Sequence, residues 1–289
     1  MIVIIGAGEI GSALGKILVS QNKKIEFWDK NPKKVKKQKP LEEIIPLAEI
    51  IFLAVPSEAI LSVERKIGKF LLNKTNLIFL SKGIPSQGLL IPDLAEKLFS
   101  KNQWGFLGGP MIAEELIKGL LAKGMIASKF PKLKGKIKKL FEGSNLKIET
   151  SDDPKGVYLA GVLKNIYSIG LGIIEGLKLG SNFKGLYFVK ALEEMKKIII
   201  QLNGKANSVY TLAGIGDLIA TGFSDYSKNY SVGSVLAKSR KVVKSEGVNS
   251  LTRLTLILKR TKSFPILNTL NQILKTKKPS LIKKIAELD

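Results

Sequence analysis

Lys164 and Asn165 interrupt a stretch that is otherwise almost wholly apolar or glycine, L-A-G-V-L-K-N-I-Y-S-I-G over residues 159–170. A lysine in such surroundings loses the hydration of its ammonium, and its pKa falls toward the range useful for proton transfer near neutral pH. The same spacing also fits a lysine whose stem lies along an apolar face while its head reaches water. Gly161, Gly170 and Gly172 leave room for another backbone or a ligand. A second polar residue, Asp217, stands in L-A-G-I-G-D-L-I-A-T, flanked by Leu212, Ile215, Leu218 and Ile219. A buried carboxylate needs a partner, and Lys164 is the candidate. Downstream, T-G-F-S-D-Y-S-K-N over 221–229 gathers hydroxyl, amide and ammonium groups suited either to a phosphate or to capping a helix.

The residue types that are missing narrow the chemistry further. The chain of 289 residues has no His and no Cys. That excludes disulfides, thiolate nucleophiles, Cys-built zinc sites and imidazole acid/base chemistry, and with it Ser-His-Asp hydrolysis. None of the six tyrosines (Tyr158, Tyr167, Tyr187, Tyr210, Tyr226, Tyr230) is followed four residues later by Lys, which removes the dehydrogenases built on that pair. Proton transfer is left to Lys, Asp, Glu, Tyr or a ligand.

At the N-terminus, G-A-G-E-I-G places Gly6, Gly8 and Gly11 where a β-branched run turns into a helical pattern. The first glycine permits the turn, the second lets backbone approach a pyrophosphate, and the third lets helix and strand pack closely. The helix N-terminus then presents its donors to the phosphates. Asp29 follows Gly11 by 18 residues and ends the second apolar run, where a carboxylate hydrogen-bonds a ribose 2′-OH. Lys30, Lys33 and Lys34 come directly after it and are suited to neutralising a 2′-phosphate, so NAD and NADP both stay open.

These residues need elements to position them. Apolar runs at 2–5, 25–29, 50–55, 77–80, 104–107, 125–127 and 146–150 read as strands, with helical patterns between most of them, as at 9–19, 58–72 and 91–99. Such alternation predicts an α/β fold with a parallel sheet and crossover helices. After Asp153 the strand signal ends. Pro154 opens a long helix capped by Asp152 or Asp153, a second follows over 186–202, and shorter helical patterns continue to the end. We expect a domain over 1–150 that binds the dinucleotide and an all-helical domain over 151–289 that carries substrate and catalysis.

Hydrophobic residues are 45% and charged residues 25% of the chain, as in ordinary globular domains. The net charge of +23 raises the question of nucleic acid as a partner. Only Arg65, Arg240, Arg253 and Arg260 supply the planar fork used for base and phosphate readout, so solvated lysine faces and an anionic small substrate are expected instead. The N-terminus lacks a charged leader, and no run is expected to be long enough to span a membrane. The cysteine-free composition fits a cytoplasmic protein.

Taken together and in order, the motifs resemble the soluble bacterial type of NAD(P)-dependent glycerol-3-phosphate dehydrogenase. The resemblance rests on the first glycine loop, A-V-P-S at 54–57, S-K-G at 81–83, and G-G-P at 108–110 followed by Ala113 and Glu114. It continues with L-K-N at 163–165, G-x-N at 180–182, L-A-G-I-G-D-L at 212–218, S-K-N at 227–229 and E-G at 246–247. It implies a Rossmann-type domain followed by a helical one, NAD or NADP as cofactor, and reversible reduction of dihydroxyacetone phosphate to sn-glycerol 3-phosphate, a phospholipid precursor.

By the same resemblance, Lys164 is the proton donor and acceptor, oriented by Asp217 and Asn165, and Lys82 touches both cofactor and substrate. Gly109, Asp217, Ser227, Lys228 and Asn229 contact substrate, the last three at its phosphate. Gly6, Gly8, Glu9, Ile10, Gly11, Asp29, Lys30, Ala113, Lys228 and Glu246 contact cofactor. The chain departs from the family pattern where Lys228 replaces an Arg, Met111 replaces a small hydroxyl residue, Ile10 replaces an aromatic, and the stretch between strands two and three is shorter. The expected partners are a small phosphorylated substrate and, in a homodimer, a second copy. The alternatives are a related two-domain reductase of another small 2-oxo or 3-hydroxy acid, a cofactor-binding protein without catalysis, and a basic nucleic-acid binder.

Overall fold

The computed structural model describes residues 1–224, 227–258 and 263–288. The chain divides into two compact units, Met1–Ser81 with Leu89–Pro154 and Lys82–Gly88 with Lys155–Asp289.

The first unit is built on seven strands: β1 (Ile2–Ile5), β2 (Ile25–Trp28), β3 (Ile50–Leu53), β4 (Asn76–Phe79), β5 (Trp104–Gly108), β6 (Ala122–Ala127) and β7 (Leu146–Ser151). Their order is β2-β1-β3-β4-β5-β6-β7. β1, β3, β4 and β5 are buried along their whole length, which is why they read as unbroken apolar runs rather than alternating ones. Interleaved with the strands are α1 (Glu9–Ser20), α2 (Leu41–Ile44), α3 (Ile60–Ile67), α4 (Ile91–Leu98), α5 (Ala113–Ile117) and α6 (Pro131–Leu140). Ile4, Leu14, Phe52 and Phe141 lie at the heart of the core, with the two rings edge to face at 6.2 Å.

The expectation of a wholly parallel sheet needs one correction. Neighbours pair in parallel everywhere except β5 and β6, which run antiparallel from Phe106↔Ala127 to Gly108↔Met125. The helix connecting them, α5, is five residues long and rises only about 7 Å at 1.5 Å per residue. The rest of the 109–121 connection is non-helical, so these two strands are not joined by a full crossover helix.

The second unit contains α7 (Pro154–Gly176), α8 (Gly180–Gln201), α9 (Asp217–Gly222), α10 (Lys228–Ser239), α11 (Glu246–Ile257) and α12 (Pro265–Thr276). No strand occurs among its described residues. α7 is its central element. A Cβ on Gly172 of α7 would lie 2.0 Å from the Tyr230 carbonyl of α10, and one on Gly233 of α10 would lie 2.0 Å from the Ile169 carbonyl of α7. The two helices therefore meet backbone to backbone. Contrary to the sequence expectation, α7 is long and apolar enough to cross a membrane, with a mean hydropathy of 1.5 over its best window, but that window is entirely buried inside the protein. Burial in a helical core explains the apolar composition.

Candidate active site

α7 carries Lys164 at its middle, with the residue only 7% exposed. The Lys164 ammonium lies 3.0 Å from Asp217 Oδ1 and donates to Thr221 Oγ1 at 2.7 Å. The Thr221 hydroxyl donates in turn to Asp217 Oδ1 at 3.3 Å. Asp217 and Thr221 are one helical turn apart on α9, so both face the same neighbour. A π-turn over Leu212–Gly216 feeds directly into that helix. The other carboxylate oxygen, Oδ2, accepts from Lys82 Nζ at 2.5 Å. One buried carboxylate thus holds two ammonium groups.

Their electrostatics follow from this arrangement. Burial drives the Lys164 ammonium down from 10.5 to about 8; Asp217 opposes the shift and Lys82 adds to it. Burial would raise the Asp217 carboxyl, but Lys164 and Lys82 together outweigh that effect and hold it below its ordinary 3.8. Near neutral pH Asp217 is an anion, and Lys164 is a cation close to its titration point.

Lys82 is fixed through its backbone and its stem. Its carbonyl accepts from Asn165 Nδ2 at 3.0 Å, and the next carbonyl, on Gly83, accepts from the Tyr158 hydroxyl at 2.6 Å. Ile84 donates its N–H to Ser250 Oγ at 3.2 Å and accepts from Arg253 Nη1 at 2.5 Å. The Lys82 stem crosses α7 at Gly161, where a Cβ would stand 3.3 Å from Lys82 Cγ. Asn165 was expected to orient Lys164; its amide holds Lys82 instead.

Of the polar loop over 221–229, Asp225 and Tyr226 lie outside the described residues. Ser227 is the N-cap of α10, its hydroxyl accepting from the Tyr230 N–H. Asn229 Oδ1 accepts from the Gly247 N–H at 3.1 Å, while Lys228 is exposed at the first position of the helix. Glu246 opens α11 and acts on Lys164 electrostatically, favouring its charged form.

The first unit holds the glycine loop. Gly6 ends β1 with φ +104°, and a Cβ on Gly11 would lie 2.0 Å from the Gly6 carbonyl, so strand and helix meet as the motif requires. Over Gly8 a Cβ would find nothing within 4 Å, and no side chain caps α1. That open space at a helix N-terminus suits a pyrophosphate, so the residues present fit NAD(P). Glu9 is exposed and Ile10 half-buried at the start of α1. Asp29 accepts from the Ala7 N–H at 2.8 Å, and Lys30 beside it is exposed. Gly109 follows β5 with φ +104°, and Ala113 is buried at the start of α5. Met111, which stands where a hydroxyl residue was expected, is buried in the sheet core with its sulfur over Gly124.

Sequence reasoning missed Thr221, Tyr158, Ser250 and Arg253. The four-residue spacing from Asp217 to Thr221 was a usable signal; nothing local marks the other three. The assembled groups can protonate a developing alkoxide in a site that contains neither His nor Cys.

Two models of one family match the chain: the NAD-dependent glycerol-3-phosphate dehydrogenase N-terminus over residues 30–134 and its C-terminus over residues 153–282. A glycerol-3-phosphate dehydrogenase [NAD(P)+] from Synechocystis sp. is 29% identical over 299 residues, covering 99% of this chain and 93% of the relative. The enzyme of that name from Azotobacter vinelandii is 30% identical over 281 residues, covering 86% and 82%. In fold, the chain is similar to the crystal structure of glycerol-3-phosphate dehydrogenase from Coxiella burnetii, with a TM-score of 0.90 at 23% identity and coverage of 99% and 98%. The chain belongs to the NAD-dependent glycerol-3-phosphate dehydrogenase family and is an NAD(P)-dependent oxidoreductase acting on a CH–OH group.

Proposed function

We propose that Lys164 donates the proton when dihydroxyacetone phosphate is reduced to sn-glycerol 3-phosphate, and takes it back in the reverse reaction. When bound, the nicotinamide cofactor supplies or accepts the hydride at the carbonyl carbon. As that carbon gains its electron pair, the carbonyl oxygen becomes an alkoxide, and the Lys164 ammonium passes a proton to it. Asp217 and Thr221 hold the ammonium in place, and the Lys82 ammonium stabilises the negative charge as it develops. Lys228 and the first turn of α10 receive the substrate phosphate, with Ser227 and Asn229 shaping that turn. A lysine in place of arginine keeps the charge there and gives up the bidentate grip.

In this reading residues 1–150 bind the dinucleotide through the glycine loop, Asp29 and Ala113, while Gly109 contacts substrate. Residues 151–289, with Lys82, carry the proton chemistry. The product is the backbone of glycerophospholipids, which places the activity in phospholipid biosynthesis. A cysteine-free chain supports a cytoplasmic setting.

The observation that carries the reading is the buried Lys164 ammonium shared between Asp217 and Thr221. The test is Lys164→Arg, which keeps the positive charge but cannot release a proton near neutral pH. General-acid catalysis accounts for about 100- to 10,000-fold in rate. Reduction of dihydroxyacetone phosphate by NADH should fall by that much while calorimetric NADH binding stays within about threefold. An arginine variant that turns over at the native rate would show that Lys164 contributes charge and not a proton.

A further inference from the structure

We propose that Asp29 makes this chain selective for NAD(H) over NADP(H); the inference rests on the reading of the glycine loop as the dinucleotide site. Asp29 stands immediately after β2 and is 9% exposed. Its Oδ2 accepts from the N–H of Ala7, inside the glycine loop itself, at 2.8 Å. Its Oδ1 accepts from the Asn31 N–H at 2.9 Å, and its own N–H donates to Gln38 Oε1 at 2.7 Å. Two hydrogen bonds therefore hold the carboxylate beside the loop, and a third holds the Asp29 backbone.

Cations that would reverse the local sign are not engaged there. Among the described residues no lysine or arginine forms an ion pair with Asp29. Lys30, Lys33 and Lys34 are exposed, where water screens them and their stems are flexible. Lys36 and Lys37 are exposed as well, and Lys39 pairs with Glu26 at 2.6 Å.

A ribose 2′-OH can donate to the remaining lone pairs of a carboxylate that already accepts two N–H bonds. A 2′-phosphate brings about two negative charges against a fixed anion, and like-charge contacts of this kind cost enough to separate affinities by roughly 100-fold. The competing role for Asp29 is purely mechanical, holding the loop through Ala7. That role predicts equal binding of both cofactors and an equal loss of both when Asp29 is changed.

The experiment titrates the full chain with NADH and with NADPH by calorimetry, then repeats both titrations on Asp29→Asn, which keeps an oxygen for the Ala7 N–H and removes the charge. The expected result is roughly 100-fold weaker NADPH binding to the native chain and a ratio within about tenfold in the variant, chiefly because NADPH binds more tightly once the repelling charge is gone. Asp29→Ser reads the same ratio if the amide variant does not fold. Native binding of NADPH as tight as NADH overturns the proposal, and so does a variant that loses both cofactors equally. Turnover separates it from the substrate assignment. Equal reduction of dihydroxyacetone phosphate with either cofactor removes the selectivity and leaves the family reaction standing. NADH-selective binding without turnover leaves the selectivity standing and removes that substrate.

Discussion

Replacing Asp217 with Asn changes one charge and almost no volume, and it tests the link between the buried cluster and the rate. The Lys164 ammonium and Asp217 Oδ1 are 3.0 Å apart, and at an effective dielectric constant of about 20 two unit charges at that distance attract by roughly 5 kcal/mol. That figure is a ceiling, because the amide oxygen stays and water relaxes around the site; directly paired charges shift one another by about 1–3 pKa units. The Lys82 ammonium, freed of its shared counter-ion, pushes Lys164 in the same direction. From about 8 in the native protein, Lys164 should fall to about 5–7 in Asp217→Asn. At pH 7 a lysine of pKa about 8 is roughly nine-tenths protonated and one of pKa about 6 roughly one-tenth. Reduction at pH 7 should therefore slow by about tenfold from protonation alone.

The assay is kcat for dihydroxyacetone phosphate reduction against pH at saturating NADH. Reduction uses the ammonium, so the native rate should hold below the Lys164 pKa and decline through about 8; oxidation of glycerol 3-phosphate uses the free amine and should rise through the same range. In Asp217→Asn both limbs should move down by at least about one unit, with reduction recovering in acid. A variant whose limbs stay near the native midpoint, or whose rate falls equally at every pH, would falsify the claim that Asp217 acts through the Lys164 pKa.

Two further substitutions test the neighbouring groups. Thr221→Val removes the oxygen that accepts from Lys164 at 2.7 Å; a hydrogen bond to a charged group is worth about 1.5–3 kcal/mol, so kcat should fall about 10- to 100-fold with KM little changed, and Thr221→Ser should restore it, whereas an undiminished kcat removes Thr221 from the machinery. Glu194→Ala takes the acceptor from the Tyr167 hydroxyl and from the Ile266 and Leu267 N–H groups at the start of α12; with about 1–3 kcal/mol for each buried group left unmatched, unfolding free energy should drop by about 3 kcal/mol or more. Burial raises the native Glu194 carboxyl above 4.5 against those three donors. The folded chain therefore holds this proton to higher pH than the unfolded chain, and the stability it contributes is lost as pH rises from about 4.5 through the raised value, a slope that denaturant titrations should find missing in the variant.

The sequence signals that proved informative were local ones. Apolar runs rich in β-branched and aromatic residues located β1, β3, β4 and β5, because a strand buried on both faces must be apolar throughout. The glycine loop was legible from its local spacing at the turn from β1 into α1, although what crowds Gly6, the Ala54 carbonyl, lies far along the chain. Burial of Asp217 followed from its apolar flanks and its pairing with Lys164 from the cost of burying a carboxylate alone, whereas the flanks of Lys164 fitted burial and a snorkelling stem equally. What remained hidden depends on distance along the chain. The reversal of β6 has no local signal, and helix ends are the least certain feature of a periodic pattern. The early stop of α3 at Ile67 and the early start of α8 at Gly180 are of that kind. Asn165 was placed beside the correct lysine in sequence and beside a different one in space, since its partner lies 83 residues away. Tyr158, Ser250 and Arg253 converge on the short segment Lys82–Gly88 from two helices, and no periodicity encodes that convergence.

A chain without histidine has to bring lysine into the working range by opposing two large effects. Burial alone in α7 would push the ammonium far down, and the amine would then be neutral and useless as an acid at pH 7. Pairing with Asp217 alone, at the surface, would leave it near or above 10.5, charged but too weak an acid to give up its proton readily. The two together leave it at about 8, charged at rest and able to release a proton once an alkoxide forms beside it, which is where a general acid is most effective. The carboxylate has to be buried to act this strongly, and it can be buried as an anion because Lys82 and Lys164 both face it. This accounts for the effort spent on fixing Lys82. In the proposed mechanism, the clamp formed by Asn165, Tyr158, Ser250 and Arg253 around residues 82–84 keeps the second cation in place, the second cation keeps Asp217 ionised, and Asp217 keeps Lys164 protonated until the substrate needs the proton.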